Sequence, residues 1–298
     1  MAEITAQMVK ELREKSGAGM LDCKKALTEA GGDPDKAMQL LRERGAAIAS
    51  KRSSRVAKEG LISIHIAADR RSAGMVELNC ESDFVARNDD FKALANKLAV
   101  HVAGLADASH VHQSRMDTGE TVEDALKGII GKIGENIVLS RATKVVAGDA
   151  GRPAGLLFHY IHPPGKIGVI VEIATSRPEL ANDPAFEEFA RDLAMHVAAS
   201  APLCTRREQV PPDILAQERE IYRNQALNEG KPEKIVDKIV EGRVQKFYAE
   251  SCLLEQPFAK NPDQKVEDYV KQNAAKFGPD VTVSTFVRWK LGETVAAE

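Results

Sequence analysis

Gly60-Leu61-Ile62-Ser63-Ile64-His65-Ile66 is answered later in the chain by Gly155-Leu156-Leu157-Phe158-His159-Tyr160-Ile161. Each run reads as a strand. The spacing is 155 − 60 = 95, and the same offset carries Val76-Glu77-Leu78 onto Val171-Glu172-Ile173. It also carries Phe91 onto Phe186, Leu98 onto Leu193, and His101-Val102-Ala103 onto His196-Val197-Ala198. Self-similarity at fixed spacing predicts one supersecondary unit used twice, here strand, strand, helix. The match resumes at 266 − 122 = 144, where Val122-Glu123-Asp124 aligns with Val266-Glu267-Asp268 and Lys132-Ile133-Gly134 with Lys276-Phe277-Gly278. Ile137 to Ser140 then aligns with Val281 to Ser284. Each copy therefore ends in another helix and another strand. The prediction is an α+β fold with two related β-β-α-α-β subdomains, over 60–148 and 149–298.

The offsets differ by 144 − 95 = 49, so the second copy holds an insertion of that length. Ile214, Ile221, Tyr222, Ile235, Ile239, Val240 and Phe247 stand at roughly helical spacing, with Gly230-Lys231-Pro232 as a turn. This predicts an antiparallel coiled-coil hairpin over about 205–252. Such an arm could reach for a partner or pair with a second copy.

Residues 1–45 read as three short helices. Thr5 can cap the first, Ser16-Gly17-Ala18-Gly19 breaks it, Asp22 can cap the second, and Asp33-Pro34 starts the third. A bundle this small offers little room for an active site; it reads as a docking module or a structural cap. Met20 and Leu21 are expected in a loop ahead of Asp22, either as bundle core or as an apolar patch for a partner. Residues 46–59 read as a linker. Its cations Lys51, Arg52, Arg55 and Lys58 are expected in solvent, since no aromatics are interleaved for stacking on RNA.

The composition is 43% hydrophobic and 29% charged, with a formal net charge of −3. That argues against a nucleic-acid or membrane-surface binder, which needs a positive field. Met1-Ala2-Glu3-Ile4 lacks a basic region followed by an apolar one, so no signal peptide is expected. No apolar run approaches the roughly 20 residues that span a bilayer. Cys23, Cys80, Cys204 and Cys252 are far apart in sequence, without a C-x-x-C. They read as reduced thiols of a cytoplasmic protein.

Neither a G-x-x-x-x-G-K-[ST] loop nor a G-x-G-x-x-G is present. His110/His112 and His159/His162 are close pairs with no third ligand at metal spacing. No metal or cofactor is expected. Cys80 with a remote histidine is a thiol-enzyme alternative, though it lacks an activating motif. One stretch is distinctive: Cys80 to Asn88, C-E-S-D-F-V-A-R-N, places Asp83 and Phe84 at a corner between strand and helix. The ring either folds back into the core or is covered by a partner. At the repeat offset, Ser82, Asp83, Phe84 and Val85 meet Arg177, Pro178, Glu179 and Leu180. The shared fold does not need Asp-Phe, which points to function.

The opening T-A-Q-M-V-K-E-L-R-E-K-S-G-A-G-M-L-D-C-K-K-A-L, Thr5 to Leu27, and C-E-S-D-F-V-A-R-N carry a family likeness. Together with the order of bundle, linker, two subdomains and inserted coiled coil, they resemble bacterial translation elongation factor Ts over nearly the whole chain. The resemblance implies a nucleotide exchange factor for the GTPase elongation factor Tu, with no covalent chemistry of its own and a UBA-like bundle. It implies that Ser82, Asp83, Phe84 and Val85 disturb the GTPase's magnesium site, with Asp83-Phe84 wedged between its helices. It also implies partner contacts at Met20, Leu21, Lys24, Ile133, Gly134 and His162. No direct nucleic acid or membrane contact is expected, and a homodimer or a 2:2 complex is compatible with the arm. An adaptor that uses only the small bundle stays as a further alternative.

Overall fold

The computed structural model describes residues 4–148 and 155–293. Residues 1–3 of the signal-peptide reading, 149–154 at the expected subdomain boundary, and 294–298 lie outside the described residues. The fold is α+β.

Three helices open the chain: α1 (Ala6–Ser16), α2 (Met20–Glu29) and α3 (Pro34–Arg52). Thr5 Oγ1 accepts from the Met8 amide, and Asp33 accepts from the Asp35 and Lys36 amides, so local capping starts α1 and α3. Gly17, at φ 67°, ends α1 in the left-handed conformation that glycine adopts without strain. Val9, Leu12, Cys23, Ala26, Leu27 and Ala37 form the small core.

Two expectations are corrected here. α2 starts at Met20, capped by an extended Gly19, so Met20 and Leu21 lie in its first turn and not in a loop. Asp22 then sits in that turn as an acid favourable to the helix dipole. The stretch expected as a linker from Ala46 is helical to Arg52, a continuation of α3. Ile48 and Ala49 explain this: they bury against the neighbouring sheet's core, and packing favours the helix there.

Strands β1 (Glu59–Ile66), β2 (Ser72–Cys80) and β3 (Val138–Val146) form one antiparallel sheet in the order β1-β2-β3. Strands β4 (Gly155–His162), β5 (Ile167–Ala174) and β8 (Thr282–Lys290) form another, in the order β4-β5-β8. Gly60 pairs with Asn79 and Gly155 with Ala174. Gly60 is the second residue of β1 and Gly155 the first of β4, and at both the partner backbone leaves no room for a side chain. A Cβ on Gly60 would stand 2.1 Å from the Leu78 carbonyl oxygen, and one on Gly155 2.5 Å from that of Ile173. A bulge falls between Glu77 and Leu78 in one sheet and between Glu172 and Ile173 in the other.

The sheets stack through Ile62, Ala73 and Met75 on one side and Leu157 and Ile170 on the other. They also exchange edge hydrogen bonds reciprocally. The Ile62 amide donates to the Gly165 carbonyl in the β4–β5 turn, and the Leu157 amide donates to the Arg70 carbonyl in the β1–β2 turn, each at 2.8 Å. The outer face of the first sheet packs on α5 (Asp89–Gly104) through Phe91, Leu94, Leu98 and Val102. That of the second packs on α7 (Pro184–Ser200) through Phe186, Phe189, Leu193 and Val197. A second helix joins each core, α6 (Val122–Ile133) and α10 (Val266–Phe277). A one-turn helix, α4 (Asp83–Ala86), stands between β2 and α5.

Between α7 and α10 come α8 (Pro212–Asn228), α9 (Glu233–Ser251) and a small hairpin, β6 (Pro257–Phe258) with β7 (Asn261–Lys265). α8 and α9 pack on each other through Ala226, Val236, Val240 and Val244. The seam differs from the expected one in α9: Val236 is inside while Ile235 is 44% exposed. Adjacent apolar pairs at 235/236 and 239/240 allow either row to face α8, and the valines at i, i+4 and i+8 fit closest to Ala226.

α3 crosses α6 backbone to backbone. A Cβ on Gly131 would lie 2.8 Å from the Gly45 Cα. Gly131→Ala is therefore expected to push α3 off α6 and cost about 1–3 kcal/mol in urea unfolding. Gly128→Ala, on the same helix with open space around it, should instead stabilise by roughly 0.5–1 kcal/mol.

Candidate functional site

β2 ends at Cys80, and the chain must turn into α4 with amides that no strand pairs. A neighbouring loop supplies the acceptors. Gly134, at φ 82°, ends α6 and turns the chain so that Glu135 reaches back across the corner. Glu135 Oε2 accepts from the Glu81 amide at 3.1 Å and the Ser82 amide at 3.0 Å, and its Oε1 accepts from Ser82 Oγ at 2.6 Å. Glu81 returns the arrangement by accepting from the Asn136 amide at 2.7 Å. The two loops thus clamp each other through crossed carboxylates.

Cations of the expected linker complete the clamp. Arg55 lies 3.2 Å and Arg52 3.5 Å from the Glu81 carboxylate. Asn136 Nδ2 donates to the Arg55 carbonyl at 2.7 Å. These two arginines are structural partners, which corrects their reading as solvated charges. The Asn136 amide, with Arg55 beside it, holds the Glu81 carboxyl below the ordinary carboxylate range.

On this base sits a short capped turn. Ser82 is its N-cap, and its Oγ accepts from the Val85 amide at 3.4 Å. Val85 is buried and anchors the turn in the sheet's core. Phe84 points the other way and is 80% exposed. The ring does not fold back, so a core-staple role is excluded. Asp83 pairs with Arg87 at 2.8 Å on the surface.

The equivalent corner of the second sheet is a comparison within the same chain. There the Ser176 amide donates to Asp280 Oδ2 at 2.5 Å, and Leu180 is buried as Val85 is. One carboxylate-to-amide bond and the buried anchor recur. The exposed aromatic does not, since Glu179 occupies the Phe84 position and pairs with Arg177 at 2.8 Å.

Of the other singled-out residues, Ile133 and Gly134 lie at the corner, His162 is tied to it through β1, and Met20, Leu21 and Lys24 lie on the bundle. Ile133 is half-buried against the core and Gly134 turns directly into the clamp. Lys132 pairs with Asp90 at the start of α5 at 2.7 Å and lies against Gly17 of the α1–α2 junction. Met20 and Leu21, 59% and 81% exposed, begin α2 just beyond that junction. His162 is exposed at the end of β4, beside the β4–β5 turn, with Nδ1 3.0 Å from the Tyr160 hydroxyl. That turn ties to the start of β1, where Lys166 pairs with Glu59 at 2.8 Å and Glu59 stands opposite Cys80. Lys24 is exposed on α2 one turn beyond Met20.

Cys80 does not present a nucleophile. It is fully buried, its Sγ donates to the Ser82 carbonyl at 3.1 Å, and burial together with Glu135 and Glu59 pushes it up to about 12. Among the described residues, no three His, Cys, Asp or Glu side chains are placed to hold a metal. No helix among them is long and apolar enough to cross a membrane. Sequence reasoning missed Glu81 and Glu135. The available signal was a glutamate directly after a helix-ending glycine, where the second copy has Pro279.

The clamped corner thus carries an exposed aromatic, and the bundle carries two exposed apolar residues, Met20 and Leu21. The family model described as Elongation factor TS matches residues 81–293. Elongation factor Ts of Clostridium botulinum (strain Eklund 17B / Type B) is 46% identical over 295 residues, covering 98% of this chain and 94% of the relative. That of strain Alaska E43 / Type E3 is 46% identical over the same length and coverage, and that of strain 657 / Type Ba4 is 45% identical over 296 residues. The chain belongs to the elongation factor Ts family.

Hydrogen bonds to a charged acceptor contribute roughly 1.5–3 kcal/mol each. Glu135→Ala should therefore speed hydrogen exchange at the Glu81 and Ser82 amides tenfold or more. Amides in the middle of α5 should keep their protection, which residue-resolved exchange measures.

Proposed function

We propose that this protein is a guanine nucleotide exchange factor that binds elongation factor Tu carrying GDP, disturbs its magnesium and phosphate site, and promotes GDP release. The observation that carries this reading is Phe84, 80% exposed on a corner fixed by three hydrogen bonds to Glu135. Leaving a phenyl ring in water forgoes about 1.5–3 kcal/mol of burial. A rigid corner that holds it there is built to give that energy to a partner.

A protein cannot outbid magnesium and phosphate-loop amides chemically. It can bind the nucleotide-free conformation better than the loaded one. Linkage then makes it weaken the nucleotide as much as the nucleotide weakens it. In this reading Phe84 is buried only when the GTPase helices that carry the magnesium-side loops have shifted. Ser82 and Val85 hold the turn, Asp83 orients it, and Ile133, Gly134 and His162 dock beside it. Met20, Leu21 and Lys24 form a separate docking surface on the bundle. Because α3 runs unbroken onto the core, engagement of one surface makes the other close to intramolecular.

The same reading takes residues 60–148 and 149–298 as copies of one β-β-α-α-β subdomain. Support comes from the paired registers: Gly60–Asn79 and Gly155–Ala174 obey the offset of 95, and Leu78–Leu139 against Ile173–Val283 obeys 144 as well. The reciprocal edge bonds fit two copies facing each other. The α8–α9 hairpin is then the coiled-coil insertion. Its ion pairs Arg219–Glu241 and Arg223–Asp237 run in opposite directions along the two helices, as an antiparallel pair requires.

Phe84→Ala should leave the urea midpoint nearly unchanged, because the ring makes little of the core. It should slow stimulated release of labelled GDP from elongation factor Tu tenfold or more in stopped flow. Unchanged release by the folded variant would sink the wedge. Binding by the bundle alone, insensitive to nucleotide, would favour the adaptor.

A further inference from the structure

Cys204 and Cys252, distant in sequence, meet where the α8–α9 arm leaves the body. Their Sγ atoms are 3.8 Å apart. The backbones are paired as well: the two residues form an isolated parallel bridge, flanked by Leu203 N to Ser251 O at 2.8 Å and Leu253 N to Cys204 O at 2.9 Å. Paired parallel segments run about 4.8 Å apart, inside the roughly 4.4–6.8 Å between Cα atoms that a disulfide accepts. The backbone spacing is one that a disulfide accepts, and the two sulfurs are already in contact. Distance in sequence between the four cysteines thus hides a close pair.

We propose that Cys204 and Cys252 are a modification site, a reversible intramolecular disulfide that staples the root of the arm. The oxidant is a low-molecular-weight disulfide such as oxidised glutathione. The Cys204 thiolate attacks one sulfur of the oxidant, a mixed disulfide forms, and one glutathione leaves as thiolate. The Cys252 thiolate then attacks the Cys204 sulfur, the protein disulfide forms, and the second glutathione leaves. Two protein thiols lose two electrons, the oxidant gains them, and both released protons end on glutathione.

The order of attack follows from access. Cys204 is half-buried, whereas Cys252 is fully buried. Burial pushes both thiols up, Cys252 to about 12, so both steps quicken as pH rises. Contact with Cys204 gives the second step the advantage of proximity. Cys23 lies in the bundle core and Cys80 at the end of β2, each without a neighbouring thiol. The bond would close a loop of 48 residues that contains the whole arm. Closing a loop of that length removes freedom from the opened arm more than from the closed one.

The test uses the full chain with oxidised glutathione in mildly alkaline buffer. Titration in denaturant should show free thiols falling from four to two, and non-reducing peptide mapping should join the peptides carrying residues 204 and 252. A reducing thiol should restore all four. Cys252→Ser should stop at a single glutathione adduct on Cys204, which shows the order of the steps. Four persisting thiols, a lasting glutathione adduct on wild-type Cys204, or a bond between two chains would each overturn the site. Hydrogen exchange in α8 and α9 should slow severalfold in the oxidised protein; unchanged exchange would overturn the staple while leaving the bond.

Discussion

A strand that leaves a sheet at its end exposes backbone donors, and they must find acceptors. At Cys80 this constraint is met by Glu135 and Glu81, each reaching across to the other's loop. Much else depends on that solution. It fixes the position of Ser82, hence of the turn it caps, hence of Phe84. It sets the conformation of Gly134, which must be left-handed for Glu135 to point back. It draws in Arg52 and Arg55, so that the segment after α3 is held against the core. An aromatic ring can remain in water only if the backbone beneath it has no cheaper place to go. The crossed carboxylates remove those alternatives.

The second sheet shows which parts of this corner belong to the fold. Asp280 serves the amide there and Leu180 serves as anchor, without an exposed ring. Both corners therefore have a carboxylate on the turning amide and a buried apolar residue. Packing is silent about the residue between them. The bundle is part of the same rigid arrangement, because α3 continues past Gly45 to rest on α6 and the core.

Much of this was legible in the residues. Glycine at 60 and 155, and phenylalanine at 91 and 186, are dictated by close backbone approach and by a filled core, so they recur and can be read. Caps at Thr5 and Asp33 are local chemistry and equally readable. Phe84 stood out because its counterpart differs. What could not be read was set by distant contacts. Ala46 to Arg52 looks like a linker until Ile48 and Ala49 meet the sheet. Val236 and Ile235 are equivalent by pattern, and only the approach to Ala226 separates them. Glu135 and Glu81 look like surface acids because their partners are backbone amides, which carry no side-chain signature. The Cys204–Cys252 encounter has the same origin, since nothing local to either cysteine announces the other.

The reciprocal bonds between Ile62 and Gly165, and between Leu157 and Arg70, have a consequence beyond joining the two sheets. β1 and β4 are outer strands, and an outer strand with free amides is a template on which another chain can add itself. Each of these strands has one of its outward donors occupied by the turn of the other sheet. Each hairpin therefore covers one donor of the other's outer strand, and displacing either hairpin uncovers a donor on both strands. The meeting of the two sheets is thus also what blunts these two edges as templates for a further strand.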